Sequence, residues 1–189
     1  MENTNRKLTA SLVADDAELQ QILSLQQENL LTNLSVSDQK DQGFVTLHHT
    51  LPLLQQLHQL APSVIVKDSS RLAGYALTMA PDCRRLVPGL EPMYTLLDTL
   101  SYKQEPISGL SYYVMGQVCV DKDYRGQGVF QLLYDFHREC YADRYDMLIT
   151  EIATRNHRSL RAHEKAGFKI IHIHKDEMDE WAVVLWDWR

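Results

Sequence analysis

Four residues, Arg125, Gly126, Gln127 and Gly128, stand between an apolar run, YYVMGQVCV at 112–120, and an amphipathic run that begins at Val129. A strand that opens through glycines onto a helix start gathers unpaired backbone N–H groups and the positive end of the helix dipole, which together make an anion site. Gly126 and Gly128 let the main chain approach a phosphate with no Cβ in the way. The spacing fits neither the dinucleotide fingerprint nor the triphosphate loop, so these four residues alone leave a plain helix start in an α/β domain open. Some twenty residues on, a second strand-like run, MLITEIAT at 147–154, carries Glu151, and NHRSLRAHEKAGF at 156–168 carries His163. A carboxylate on such a strand beside an apolar pocket has its pKa raised towards the range a general base needs. The same residue on a solvated strand face, or paired with a neighbouring cation, would be structural.

Other reactive side chains carry less. Cys83, Cys119 and Cys140 are odd in number and lack C-x-x-C spacing, which argues against a disulfide framework or a zinc site. Cys119 could carry an acyl group covalently, but it sits in an apolar strand with no histidine at a telling spacing, where a free thiol is ordinarily a small buried residue. His172 and His174 fall on one face of a strand, as period two requires. A metal pair would need a third ligand at a recognisable distance, and none is present, so no metal is expected.

The elements that must position these groups follow from periodicity. Leu8 to Ala14 reads as a first strand, and Asp15 or Asp16 caps a helix with Leu19, Ile22, Leu23 and Leu30 on one face. A polar loop, Thr32 to Gln42, and Gly43–Thr46 lead to a second helix near Leu51–Leu60, with Pro52 in its first turn and Pro62 beyond its end. Ser63–Lys67 and Leu72–Ala80 form a hairpin across Asp68–Arg71. Residues 81–111 hold four of the six prolines and a short helix around Pro92–Leu100. A connection this long in a compact domain is ordinarily a binding loop or a separately packed insertion. Lys169–His174 and Trp181–Trp188 close the chain as two strands. The order β-α-α-β-β, insertion, β-α-β-α-β-β implies a three-layer α/β or α+β domain.

Composition bounds the rest. At 189 residues with 44% hydrophobic and 23% charged side chains, one domain spanning 1–189 with a full core is expected. No apolar run is long enough for a membrane span and MENTNRKLTA lacks a signal-peptide core, so a cytoplasmic protein is expected. A net charge of -6 argues against nonspecific nucleic-acid binding.

Taken together, residues 112–168 resemble the GNAT superfamily of acyl-CoA-dependent N-acyltransferases. That family's loop, [QR]-x-x-G-x-[GA], is matched by Arg125, Gly126, Gln127, Gly128, Val129 and Phe130, with Phe130 in place of a small residue. Its second block, N-x-x-[AS]-x-x-x-Y-E-K-x-G-F, is matched by Asn156, Ser159, Glu164, Lys165, Gly167 and Phe168, with His163 in the tyrosine place. The resemblance implies a mixed, twisted sheet of six to seven strands whose fourth and fifth strands splay apart, with helices on both faces. It implies acetyl-CoA as co-substrate and no metal: backbone of Val118, Cys119 and Val120 pairing with the pantetheine arm, Arg125 to Phe130 holding the pyrophosphate, and Asn156 and Ser159 beside them. It implies Glu151 as base, twelve residues before His163 as acid, and Gln117 at another position where the family often carries a base glutamate. The stretches 8–111 would form the acceptor side, with Phe44, Met93, Tyr94 and Gln117 touching the amine, and 169–189 the closing strands. A homodimer, common in the family, is an assembly the resemblance allows. A domain that binds acyl-CoA without catalysis, and a transferase with another acyl donor, remain open beside this reading.

Overall fold

The computed structural model of the protein describes residues 7–30 and 47–189. Its elements are β1 (Leu8–Leu12), α1 (Asp16–Asn29), α2 (Leu51–Leu60), β2 (Val64–Asp68), β3 (Arg71–Met79), α3 (Glu91–Leu97), β4 (Ser101–Tyr102), β5 (Glu105–Pro106), β6 (Tyr112–Val120), α4 (Val129–Tyr141), β7 (Met147–Ala153), α5 (His157–Ala166), β8 (Lys169–Lys175) and β9 (Glu180–Asp187). Seven strands form one mixed sheet in the order β1-β2-β3-β6-β7-β9-β8, and β4 and β5 form a separate ribbon inside the 81–111 connection. Within the large sheet only β6 and β7 run parallel.

The helix starts follow their capping chemistry. Asp15 accepts the Glu18 N–H at 2.9 Å to open α1, and Thr50 accepts the Leu53 N–H at 3.4 Å to open α2, where Pro52 needs no donor. β3 lies beneath helices on both sides, and period two shows how. A Cβ on Gly74 would meet Val129 and Leu133 of α4, whereas the neighbouring Tyr75 sends its hydroxyl to Gln117, which also bonds Gln26 of α1. α1 and α4 therefore cover opposite faces, which explains why eight consecutive residues of β3 are buried.

On the α4 side the core is aromatic. Tyr113, Tyr134, His137, Tyr141 and Tyr145 pack ring against ring, joined by Phe168, Trp186 and Trp188. His137 is fully buried between the Tyr113 hydroxyl at 3.0 Å and the Ala76 carbonyl at 3.3 Å. Among the described residues no helix is long and apolar enough to cross a membrane.

Candidate active site

The loop after β6 is built by its glycines. Gly126 and Gly128 have φ of 75° and 82°, in the left-handed region, and a Cβ on either would meet nothing within 4 Å. Conformation is therefore what demands glycine there. Gly128 caps α4 without a side-chain hydrogen bond, so among the described residues no side chain caps the first turn of α4. Above them opens a cleft of about 530 Å³ lined by Val118, Gly126, Gly128, Val129, Phe130 and Asn156 among others. Arg158, Arg161 and Lys165 of α5 line its far wall, spaced at i, i+3 and i+7 on one helix face. A cleft with a glycine-shaped, uncapped helix start on one side and three cations on the other suits a phosphorylated ligand. Arg125 itself turns inward, reaching Asn29 Oδ1 at 3.0 Å and the Val120 carbonyl at 3.4 Å. Gln127 folds its amide onto the Asp123 carbonyl at 2.7 Å and does not line the cleft.

Beside this loop the sheet comes apart. β6 and β7 pair only at Tyr112–Met147, Tyr113–Leu148 and Val114–Ile149, although β6 runs on to Val120 and β7 to Ala153. Gly116 is the extra residue of a bulge against β3, since Leu77 pairs with Gln117 and Thr78 with Met115. A Cβ at Gly116 would come within 2.2 Å of the Met79 sulfur, so any larger residue in the bulge would have to displace the buried Met79 side chain. Thr150 fastens the fork by donating its hydroxyl to the Met115 carbonyl at 2.8 Å. Beyond that point the backbone of Val118 to Val120 is free of β7, as the splayed strands of the resemblance require.

On the other side of the fork lies a second cleft of about 710 Å³. Its walls include Leu90, Met93, Leu96, Met178 and Trp181, and its polar lining includes Gln117, Glu151, His163 and His174. Val118, Asn156 and Ser159 line both clefts, so the two meet where β6 faces the start of α5. Asn156 caps α5 through the Ser159 N–H at 3.1 Å, which fixes it at that junction.

Glu151 is largely buried and its Oε1 accepts a hydrogen bond from His174 Nε2 at 2.9 Å. Burial pushes the Glu151 carboxyl above its ordinary range, partly opposed by the His174 bond. Gln117 is tied from both ends. Its oxygen accepts from Gln26 and from the Tyr75 hydroxyl, both at 2.7 Å, and its nitrogen donates to the Leu47 carbonyl at 2.8 Å, so that among the described residues one N–H of the amide has no partner.

His163, the residue expected to act as acid, lies at the wall of the second cleft. It is only 2% exposed, its Nδ1 donates to the Ser159 carbonyl at 2.8 Å, and its Nε2 accepts the Tyr134 hydroxyl at 2.7 Å. Burial lowers its pKa to about 4, so the ring is neutral near pH 7 and both nitrogens are engaged. Phe130, large where the family places a small residue, fits because its ring packs against Tyr134 and edge-on to His163 rather than filling the loop.

Of the remaining expected contacts, Met93 lines the second cleft. Tyr94 does not: it is 2% exposed and lies in the core beneath Arg84, 5.4 Å from the ring centroid. Phe44 lies outside the described residues. Cys119 lines the first cleft, but burial pushes its thiol up to about 12, which removes the thiolate a covalent route needs. His172 and His174 stack with ring centroids 6.2 Å apart, and among the described residues no group of three His, Cys, Asp or Glu is placed to hold a metal.

Residues 29–168 match the model of the acetyltransferase (GNAT) family, and the chain belongs to that family. No curated protein matches the chain by sequence. Its fold is similar to yncA of Salmonella typhimurium, whose structure holds its cofactor acetyl-CoA (16% identity, 96% of this chain and 94% of that one, TM-score 0.59). It is also similar to an N-acetyltransferase from Staphylococcus aureus Mu50 (17% identity, 97% and 99%, TM-score 0.62) and to the ribosomal-protein-S18-alanine N-acetyltransferase of Escherichia coli (14% identity, 96% and 94%, TM-score 0.59). At these identities the likeness is one of fold.

Proposed function

We propose that the chain transfers an acetyl group from acetyl-CoA to a primary amine of a small molecule or peptide, by direct attack in a ternary complex. The observation that carries this reading is the junction of two clefts at Val118, Asn156 and Ser159, one suited to a phosphorylated ligand and the other apolar with an ionisable end.

The first cleft fits acetyl-CoA. N–H groups of Gly126, Gly128, Val129 and Phe130 would hold the pyrophosphate, the Gln127 N–H being bonded to the Tyr124 carbonyl; Arg158, Arg161 and Lys165 would neutralise phosphate charge, and the β7-free edge of Val118 to Val120 would pair with the pantetheine arm. Bound there, the thioester supplies an acyl carbon already activated for attack. The protein's own task is to place the amine, take its proton and exclude water.

The described lining of the acceptor cleft carries the carboxylates Glu151, Asp176 and Glu177 and no lysine or arginine, which suits an acceptor that arrives as an ammonium. Glu151 supplies the carboxylate on which proton removal depends. The free N–H of Gln117 and the side chain of Met93 orient the acceptor. His163 holds Tyr134 and the first turn of α5 in place, and solvent protonates the departing thiolate.

The test is calorimetric titration with acetyl-CoA of the parent and of Gly128→Trp, which places a ring in the loop at a φ unfavourable to any L side chain. Binding to the parent that is lost in a folded Gly128→Trp supports the cofactor site, and thiol release with amines then tests transfer. No binding to the parent removes the acyltransferase reading, and binding without transfer to any amine favours a non-catalytic acyl-CoA-binding domain.

A further inference from the structure

Glu151 does not meet the acceptor cleft alone. The ring of His174 lines the same cleft, with 23% of its side chain exposed against 16% for Glu151, and the two are joined by one hydrogen bond. A carboxylate bonded to one imidazole nitrogen fixes the tautomer: Nε2 carries the hydrogen and Nδ1 carries the lone pair. Among the described residues Nδ1 makes no hydrogen bond. A neutral imidazole nitrogen with its lone pair unengaged is a competent proton acceptor within reach of a bound amine.

The position is built by the sheet. Glu151 and His172 both pair with Val183 of β9, and His174 pairs with Trp181 two residues along. All three side chains therefore stand on one face, and Glu151 reaches His174 across the central strand. The charged and titratable groups around the His174 ring are Glu151 from β7, His172 on its own strand, and Asp176 and Glu177 from the following turn; His163 of α5 lines the same cleft. Asp176 is occupied as a cap, accepting the N–H groups of Met178 and Asp179 at 2.8 Å each. Lys175 lies towards Glu180, 3.4 Å away.

We propose that His174 is a catalytic residue: its Nδ1 takes the proton from the acceptor ammonium while Glu151 holds the ring and stabilises the imidazolium. This rests on the acetyltransferase reading above. One N–H bond of the ammonium breaks and its proton bonds to Nδ1. The freed lone pair forms the new N–C bond at the thioester carbonyl, the C–S bond breaks, and its electron pair leaves with sulfur. The amine nitrogen gives its second proton to solvent and the thiolate takes one back. The imidazolium then releases its proton, so that ammonium and thioester yield amide, thiol and one proton.

The experiment uses the full-length protein with four probes: n-butylamine, spermidine, an amino-acid ester and an N-terminally free tetrapeptide. Thiol release is measured from pH 5.5 to 9, with acetyl-CoA calorimetry and ¹⁵N NMR of the histidine rings alongside. His174→Gln is expected to bind acetyl-CoA as the parent does, to lose roughly 10²-fold or more in kcat/KM, and to change the pH profile of the activity that remains. Glu151→Gln is expected to lose a similar factor, and the double variant little more than the worse single, because the pair acts as a unit. NMR of the parent is expected to show His174 protonated at Nε2. A His174→Gln enzyme that keeps the parent's rate and pH profile, or an Nδ1-protonated His174 in the parent, overturns the proposal even if transfer occurs. A parent that binds acetyl-CoA yet acetylates none of the probes overturns the reading beneath it, and the proposal with it.

Discussion

Acidification from pH 7 to pH 5 is expected to destabilise this fold steeply, because three histidines are buried in neutral form. His49, His137 and His163 are 1%, 0% and 2% exposed, and burial lowers their pKa values to about 4, about 3 and about 4, with His48 repelling charge on His49 as a lesser cause. Each ring is held as a neutral partner. His137 sits between Tyr113 and Ala76, His163 between Tyr134 and Ser159, and His49 accepts from Gln26 at its Nδ1 at 2.8 Å. Unfolded, a histidine takes up its proton near ~6.5. Between ~6.5 and about 4 the unfolded chain therefore binds protons that the native chain does not, so stability is present above pH 6.5 and is lost as pH falls.

By linkage each group contributes roughly 1.8 kcal/mol of this loss between pH 7 and 5, or about 5 kcal/mol for the three. That is comparable with the whole stability of a marginal domain. Glu151, whose carboxyl is raised, acts in the opposite sense and offsets a fraction. Urea unfolding followed by tryptophan fluorescence at pH 7, 6 and 5 should show the midpoint falling at each step, with a native baseline retained at pH 6. A midpoint that holds constant or rises, or native-state NMR showing any of the three rings titrating near 6.5, would refute the reasoning.

Three further outcomes follow from the site's packing. Thr150→Val removes the hydroxyl that satisfies the Met115 carbonyl at the fork and should cost about 1–2 kcal/mol in urea unfolding, with a weaker affinity for acetyl-CoA in calorimetry. Gln117→Glu replaces the amide that donates to the Leu47 carbonyl by an acceptor in a buried setting; a loss of about 1–3 kcal/mol is expected, read as a melting temperature lowered by roughly 2–4 °C per kcal/mol. Arg161→Ala should weaken acetyl-CoA binding more at 20 mM than at 300 mM salt, on the order of tenfold against less than threefold, as expected of an exposed cation lining the cleft proposed for the phosphate groups.

The glycine loop after β6 was legible because its constraint is local: two glycines between a strand and a helix specify positive φ and an uncapped turn wherever the segment lies. The cationic wall was also present in the sequence, at the spacing of Arg158, Arg161 and Lys165, but that face is visible only once the helix is read for charge rather than for its family block. The β4–β5 ribbon gave no signal, since its turn uses Lys103 and Gln104 at φ of 49° and 69°, residue types that ordinarily do not announce a left-handed turn. Met93 and Tyr94 were inseparable for a related reason. In a helix of seven residues adjacent side chains point about 100° apart, and which one meets the cleft depends on how α3 is seated.

The Glu151–His174 contact shows what a sequence withholds even when every strand in it is recognised. The two residues lie on strands that never pair with each other; they meet because β9 is inserted between β7 and β8. Facing alone would not suffice. Ile170 pairs with Val184 and His172 with Val183, so Ile171 is an extra residue in β8, a bulge that shifts the parity of all that follows. Without it, Ile171 would stand opposite Val183, and both His172 and His174 would turn to the far face of the sheet. One additional residue in an edge strand thus delivers an imidazole to the carboxylate. The period-two pattern of His172 and His174 records that they share a face, while which face, and with what partner, is decided by the register against β9.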